Sequence, residues 1–124
     1  MTQRRAAYWA STGFAAFALG ATGLADLLRV PVIMEGLAHL GYPTYFATIL
    51  GTWELLGAAA IVAPDLPRVK EWAYAGMFFA LSGAALSHAA SGDPVGKVLV
   101  PLVVLGAVGV SWTLQSRAAV LRSS

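Results

Sequence analysis

Apolar residues along this chain gather into four long runs, over residues 8–25, 44–63, 72–90 and 98–116, separated by short stretches that carry most of the charge. Each run has roughly the twenty residues that an α-helix needs to cross the ~30 Å hydrocarbon core of a bilayer. Aromatic residues flank them (Tyr8 and Trp9, Tyr42 and Tyr45, Trp72 and Tyr74, Trp112), where amphipathic rings settle at a membrane interface. The helix breakers Pro43, Pro64, Pro67 and Pro94 fall between runs, and Pro101 falls in the first turn of the fourth, where a helix tolerates proline. A fifth apolar segment, residues 30–40, is too short to cross and reads as an interfacial or re-entrant helix. The pattern predicts an all-α, integral membrane four-helix bundle. It forms a single transmembrane domain over residues 1–124, with the short helix between its first two long ones.

Composition supports the same class. Only 11% of the 124 residues are charged and 58% are hydrophobic, whereas soluble domains average about 25% charged. With no cysteine, the chain has no disulfide, thiolate metal site or thiol relay of its own. The excess of two positive charges comes from a few arginines near the termini, and no basic face argues for nucleic acid. Arg4 and Arg5, an apolar stretch and Gly23-Leu24-Ala25 also have the form of a secretory signal, but the segment is read here as a retained helix.

Charge sets the orientation. Arg4, Arg5, Arg68, Lys70, Arg117 and Arg122 fall on one side of the runs and only Arg29 and Lys97 on the other. Cytoplasmic loops carry the excess of Lys and Arg, so both termini are expected in the cytoplasm of a bacterial cytoplasmic membrane. Asp26, Glu35, His39, His88 and Asp93 then collect on the outer side.

Glu54 is the only charge in its run. About ten residues in, at ~1.5 Å per residue, it lies near mid-membrane, where an ionisable group is expensive and marks a site. Ala47, Gly51, Glu54 and Ala58 share one helical face whose small residues mark close helix approach, so Glu54 is expected to face the bundle. Thr12, Ala15, Leu19, Thr22 and Asp26 form a weakly polar face on the first run, and Ala73, Gly76, Ala80, Gly83 and Ser87 a small-residue stripe on the third. Glu54 and His88 are the candidate catalytic pair. Asp26, Glu35, His39, Tyr42, Trp53 and Ser87 are candidate ligand-binding residues around an outward-facing pocket with Glu54 at its floor. Simpler readings stand beside these. Glu54 can hydrogen-bond a neighbouring helix, His88 can cap its own, Glu35 and His39 can pair at i,i+4, Asp26 can pair with Arg29, and Asp93-Pro94 can be a loop turn.

Several segments together resemble the DoxX-like family of small four-helix bacterial membrane proteins. They are His39-Leu40-Gly41-Tyr42-Pro43, Gly51-Thr52-Trp53-Glu54-Leu55-Leu56-Gly57, Pro64, Glu71-Trp72-Ala73-Tyr74-Ala75-Gly76 and Ser87-His88-Ala89-Ala90-Ser91-Gly92-Asp93. The resemblance spans roughly residues 8–116. It implies a relation to a small subunit of a membrane thiosulfate:quinone oxidoreductase and to partners of other membrane redox complexes.

Three functions remain open. The chain is an accessory subunit that holds a quinone-like lipophilic molecule beside a redox partner, with Glu54 and His88 binding the polar end and relaying protons. Alternatively it is a stand-alone enzyme in which Glu54 acts as general acid–base in isomerisation, hydration or ring opening of a small lipophilic substrate. The third reading is a scaffold whose polar seam fixes helix register. His39 and His88 are also available as axial haem ligands, although no motif supports haem, and no metal site is expected. Helices this thin enclose little volume, so a second copy of the chain is expected to complete a sizeable pocket.

Overall fold

Helix ends follow the punctuation of the sequence. The computed structural model describes residues 2–123, with side chains described as far as Gln115. It contains α1 (Gln3–Leu27), α2 (Pro31–His39), α3 (Tyr45–Val62), α4 (Pro67–Ala90) and α5 (Val95–Ser123). Thr2 caps α1 by accepting the Arg5 N–H at 3.1 Å, and Pro31 and Pro67 open α2 and α4 at positions where the missing N–H costs nothing. The side chains of Ser116, Arg117 and Arg122, which belong to the expected fourth run and its charge flank, lie outside the described residues.

Three helices end in the same way, and this ending shapes one end of the molecule. Gly41 (φ 87°) and Gly92 (φ 71°) are left-handed caps after α2 and α4. Each allows two bonds that bring the chain back onto its helix: Gly41 N–H to Ala38 and Tyr42 N–H to Leu37, and Gly92 N–H to Ala89 and Asp93 N–H to His88. A proline follows one residue later in both. α1 ends likewise, but with Arg29 in the left-handed position (φ 53°), a conformation that costs a non-glycine residue about 1–2 kcal/mol. Its guanidinium bonds Thr48 Oγ1 at 3.3 Å and so helps to hold the turn.

The four long helices pack in a closed ring: α1 against α3 and α5, and α4 against α3 and α5. Their shared core is small and includes Ala15, Leu19, Ala58, Ile61, Tyr74, Met77 and Val108. The bulky apolar residues lie outside: Trp72 is 78% exposed, Phe17 76% and Phe79 70%. Small residues inside and large apolar ones outside are the distribution of a protein whose outer solvent is lipid, and the chain is a helical membrane protein. α3 and the Val95–Gln115 part of α5 are each long and apolar enough to cross, while α1 reaches that standard only together with α2, from which it is bent by 90°. α4 does not reach it: its first turn and a half carries Arg68, Lys70 and Glu71, and its uncharged remainder is diluted by Tyr74, His88, two serines and two glycines.

The structure corrects three local expectations. Tyr74 is not interfacial; it is 4% exposed, in the core. The buried face of α4 is Lys70, Tyr74, Met77 and Ala85, whereas Gly76 and Ala80 of the expected small-residue stripe are exposed. Tyr74 and Met77 fill the centre, which the small side chains of α1 and α3 leave open. Pro101 lies in the second turn of α5, because that helix begins at Val95. There it leaves the Lys97 carbonyl without a helical donor.

Candidate functional site

Two glycines bring two acids together. Gly23 and Asp26 on α1, and Gly51 and Glu54 on α3, share one pattern: a glycine with a carboxyl residue three positions later. The helices run antiparallel and touch at this point. A Cβ on Gly51 would lie 2.7 Å from the Gly23 carbonyl oxygen and 2.9 Å from Asp26 Cβ. One on Gly23 would lie 3.0 Å from Glu54 Cβ and 3.0 Å from the Gly51 carbonyl oxygen. Each glycine thus makes room for the acid of the opposite helix. The Asp26 and Glu54 carboxyls come within hydrogen-bonding range of one another, and Thr22 Oγ1 is bonded to Glu54 Oε2. Asp26 is buried at 4% exposure, Glu54 is half-buried and Thr22 is exposed, so the pair opens at the outer surface of the α1–α3 seam. Glu54 is nine residues into α3, about 14 Å along its axis.

A second polar group lies at the end of the ring capped by Gly41 and Gly92. Asp93 bridges two histidines: His39 Nε2–H donates to Oδ1 and His88 Nδ1–H to Oδ2, each at 2.6 Å. With a carboxylate as acceptor, these bonds select for a neutral ring the tautomer whose other nitrogen, Nδ1 of His39 or Nε2 of His88, is the acceptor. The two N–H groups, that of His88 first, hold the Asp93 carboxyl below the ordinary aspartate range. Beside them Tyr42 and Ser87 share a hydroxyl bond of 2.7 Å, and the Tyr42 ring stacks on Phe46 with centroids 4.7 Å apart. The bridge ties the end of α2 to the end of α4.

Glu54 and His88 are each engaged elsewhere, Glu54 with Thr22 and Asp26, His88 with Asp93. His39 pairs with Asp93, and Glu35, one turn away on α2, is exposed. Asp26 is buried against Glu54, and Arg29 bonds Thr48. Trp53 is 67% exposed and faces outward from α3. Both histidines turn a nitrogen onto one carboxylate, which is not the arrangement of two axial ligands facing an iron between them. Asp93 is the residue whose part the sequence left obscure: a turn residue by composition, it is aimed back at His88 by the Gly92 cap. The paired Gly-x-x-acid pattern was the signal that joined Asp26 to Glu54.

A third polar chain crosses the core nearer the opposite end. Ser111 Oγ bonds Thr12 Oγ1 at 2.5 Å and the Tyr74 hydroxyl at 2.7 Å, linking α1, α4 and α5. Leu19, Ala58, Ile61 and Met77 are apolar core residues between this chain and the acid pair.

Neither a curated protein nor a solved structure matches the chain. The sequence profile described as the DoxX-like family matches residues 10–111, which takes in both acids, all three bridging residues and the Thr12–Ser111–Tyr74 chain. The chain belongs to the DoxX-like family.

Proposed function

We propose that this chain is a four-span bundle of the bacterial cytoplasmic membrane that holds the polar end of a quinone-like lipophilic molecule at the Thr22–Asp26–Glu54 seam. Both termini lie in the cytoplasm, α2 lies along the outer interface, and the chain serves as an accessory subunit of a membrane redox system. The observation that carries the reading is the carboxyl pair itself. Two carboxyls in contact in a medium of low dielectric cannot both ionise, so a proton sits between them. Thr22 adds a hydroxyl donor to Glu54 Oε2, and the same oxygen lies 2.9 Å from the Ala18 carbonyl of its own helix.

A protonated carboxyl at the surface of two membrane helices becomes a hydrogen-bond donor to a lipid-dissolved acceptor when it turns from its neighbour. A quinone carbonyl is an acceptor of matching kind, and its apolar ring and tail would lie against exposed side chains such as Leu24 and Trp53. Such a ligand would supply the electron chemistry and the chain would hold its position and protonation. A redox partner, the association that the resemblance implies, would exchange the electrons. A second copy of the chain would close the exposed side of the seam.

The test is mass spectrometry of organic extracts from purified wild type and Glu54→Leu, whose side chain has no donor. One lipophilic carbonyl compound retained by the wild type and lost from the variant, with folding intact, supports the reading. Equal retention by both overturns it. The alternative, a stand-alone acid–base enzyme, is favoured by one feature: the His88 ring is oriented by Asp93 and keeps Nε2 as an acceptor, which is the form of an acid–base histidine. Turnover of a lipophilic substrate by the isolated chain would select it.

A further inference from the structure

We propose that the end of the ring opposite the histidines holds a single membrane phospholipid, its phosphate on Lys70 and one acyl chain in the groove between α4 and α5. Lys70, on the buried face of α4, is 8% exposed. A lysine whose stem is this buried carries its ammonium to the headgroup level, where an anion stabilises it. Among the described residues the only carboxylate-to-cation contacts within 4 Å are those of Asp93 with its histidines, and residues 116–124 contain no acidic side chain. Of the six acids, only Asp65 and Glu71 lie near this end. Asp65 belongs to the exposed turn before α4, and Glu71 accepts the Trp112 indole N–H at 3.0 Å.

A second unmet group lies at the same level. α4 and α5 run antiparallel with Tyr74 bonded to Ser111, so Gln115, one turn beyond Ser111, stands opposite Lys70, one turn before Tyr74. Gln115 is 7% exposed and its Oε1 has no hydrogen-bond donor. Among the described residues no carboxylate lies within 4 Å of Lys70, and Gln115 Oε1 has no donor. A headgroup that combines a phosphate with an N–H or O–H donor, such as phosphatidylethanolamine or phosphatidylglycerol, completes both. Phosphatidylcholine, whose quaternary ammonium has no donor, completes only Lys70.

The groove supplies the place for the chain. It encloses about 300 Å³ and is walled chiefly by Ala75, Phe78, Leu105 and Val108, with the Glu71–Trp112 pair and Tyr74 at the Lys70 end. From that end it runs toward the middle of the helices, the direction an acyl chain takes from its headgroup. Side chains on a helix lean toward its N-terminus, so the Lys70 stem points from the groove mouth toward the headgroup level.

Native mass spectrometry of the full chain, delipidated in detergent and titrated with each lipid, tests this. Wild type should hold one phosphatidylethanolamine or phosphatidylglycerol, and phosphatidylcholine about tenfold more weakly, the loss of roughly one hydrogen bond to a charged group. Lys70→Gln should lose the bound lipid and Lys70→Arg should keep it. Ala75→Phe, which fills the groove and leaves the polar groups in place, should lose it as well. Arg68→Gln, an exposed cation of the same end, should behave as wild type. Equal binding of all three lipids together with an unaffected Lys70→Gln would mean annular lipid only and would overturn the proposal. So would stabilisation by inorganic phosphate that depends on Lys70 without any retained lipid, since the ligand would then be the free anion.

Discussion

Replacing Gly51 by alanine tests the contact on which the acid pair depends. The new Cβ would lie 2.7 Å from the Gly23 carbonyl oxygen, where ordinary contact begins at 3.4 Å, so α1 and α3 must part by about 0.7 Å or shift along one another. The obstacle is backbone on a rigid helix, which cannot rotate away as a side-chain tip would. Overpacking of this kind costs about 1–3 kcal/mol. Alanine's better helix propensity returns at most about 1 kcal/mol. Gly76, with nothing within 4 Å of its Cβ position, supplies the control that collects the propensity gain alone. Gly23→Ala, with closest approaches of 3.0 Å, should fall between the two. Reversible unfolding in mixed detergent should therefore rank Gly76→Ala above Gly23→Ala above Gly51→Ala, with Gly51→Ala about 1–3 kcal/mol below the control. Parting the helices also lengthens the Thr22–Glu54 bond, so Gly51→Ala should retain less of any ligand held there. A Gly51→Ala protein as stable as Gly76→Ala would refute the close approach and, with it, the origin of the acid pair.

Three further outcomes follow from the other polar groups. Ser111→Ala removes the middle hydroxyl of the Thr12–Ser111–Tyr74 chain and both of the buried bonds it makes, a loss of about 1–3 kcal/mol in the same unfolding assay. Because Asp93's carboxyl is held below its ordinary range when folded, its contribution to stability is fully present above the ordinary aspartate value and disappears as pH falls through the folded one. The gap in melting temperature between wild type and Asp93→Asn should accordingly close as pH falls through the folded Asp93 value; a gap that persists in strong acid would contradict the bridge. His39→Ala should release α2, read as faster proteolysis or amide exchange near residues 31–39, while Glu35→Ala, on the exposed face of the same helix, should not.

Most of the architecture is legible in residue order, and the reasons are physical. The apolar runs and their prolines place the long helices to within a few residues. The length of the 30–40 segment predicts α2, because a bilayer imposes a minimum span. The depth and inward direction of Glu54 follow from the spacing of Ala47, Gly51 and Ala58. What residue order conceals is pairing between helices. Asp26 reads as a partner for Arg29 three positions away because local spacing is visible, whereas its actual neighbour is 28 positions distant and depends on two glycines meeting. Tyr74 reads as interfacial because an aromatic residue near a run's end usually is. Its burial depends on Thr12 and Ser111 arriving from two other helices to satisfy its hydroxyl. Asp93 needed the left-handed Gly92 to be turned toward His88, and only the backbone shows that turn.

The central claim is that the Asp26–Glu54 pair donates a hydrogen bond to a quinone-like ligand. Equilibrium binding of a short-chain quinone to delipidated wild type and Glu54→Leu tests it most directly, with Trp72→Phe, distant on α4 and facing outward, as the control. Saturable binding of about one molecule per chain is expected in the wild type and the control, weakened about tenfold or more in Glu54→Leu, which has no donor, the equivalent of one lost hydrogen bond. Absence of saturable binding in the wild type, or equal affinity in Glu54→Leu, would contradict the account.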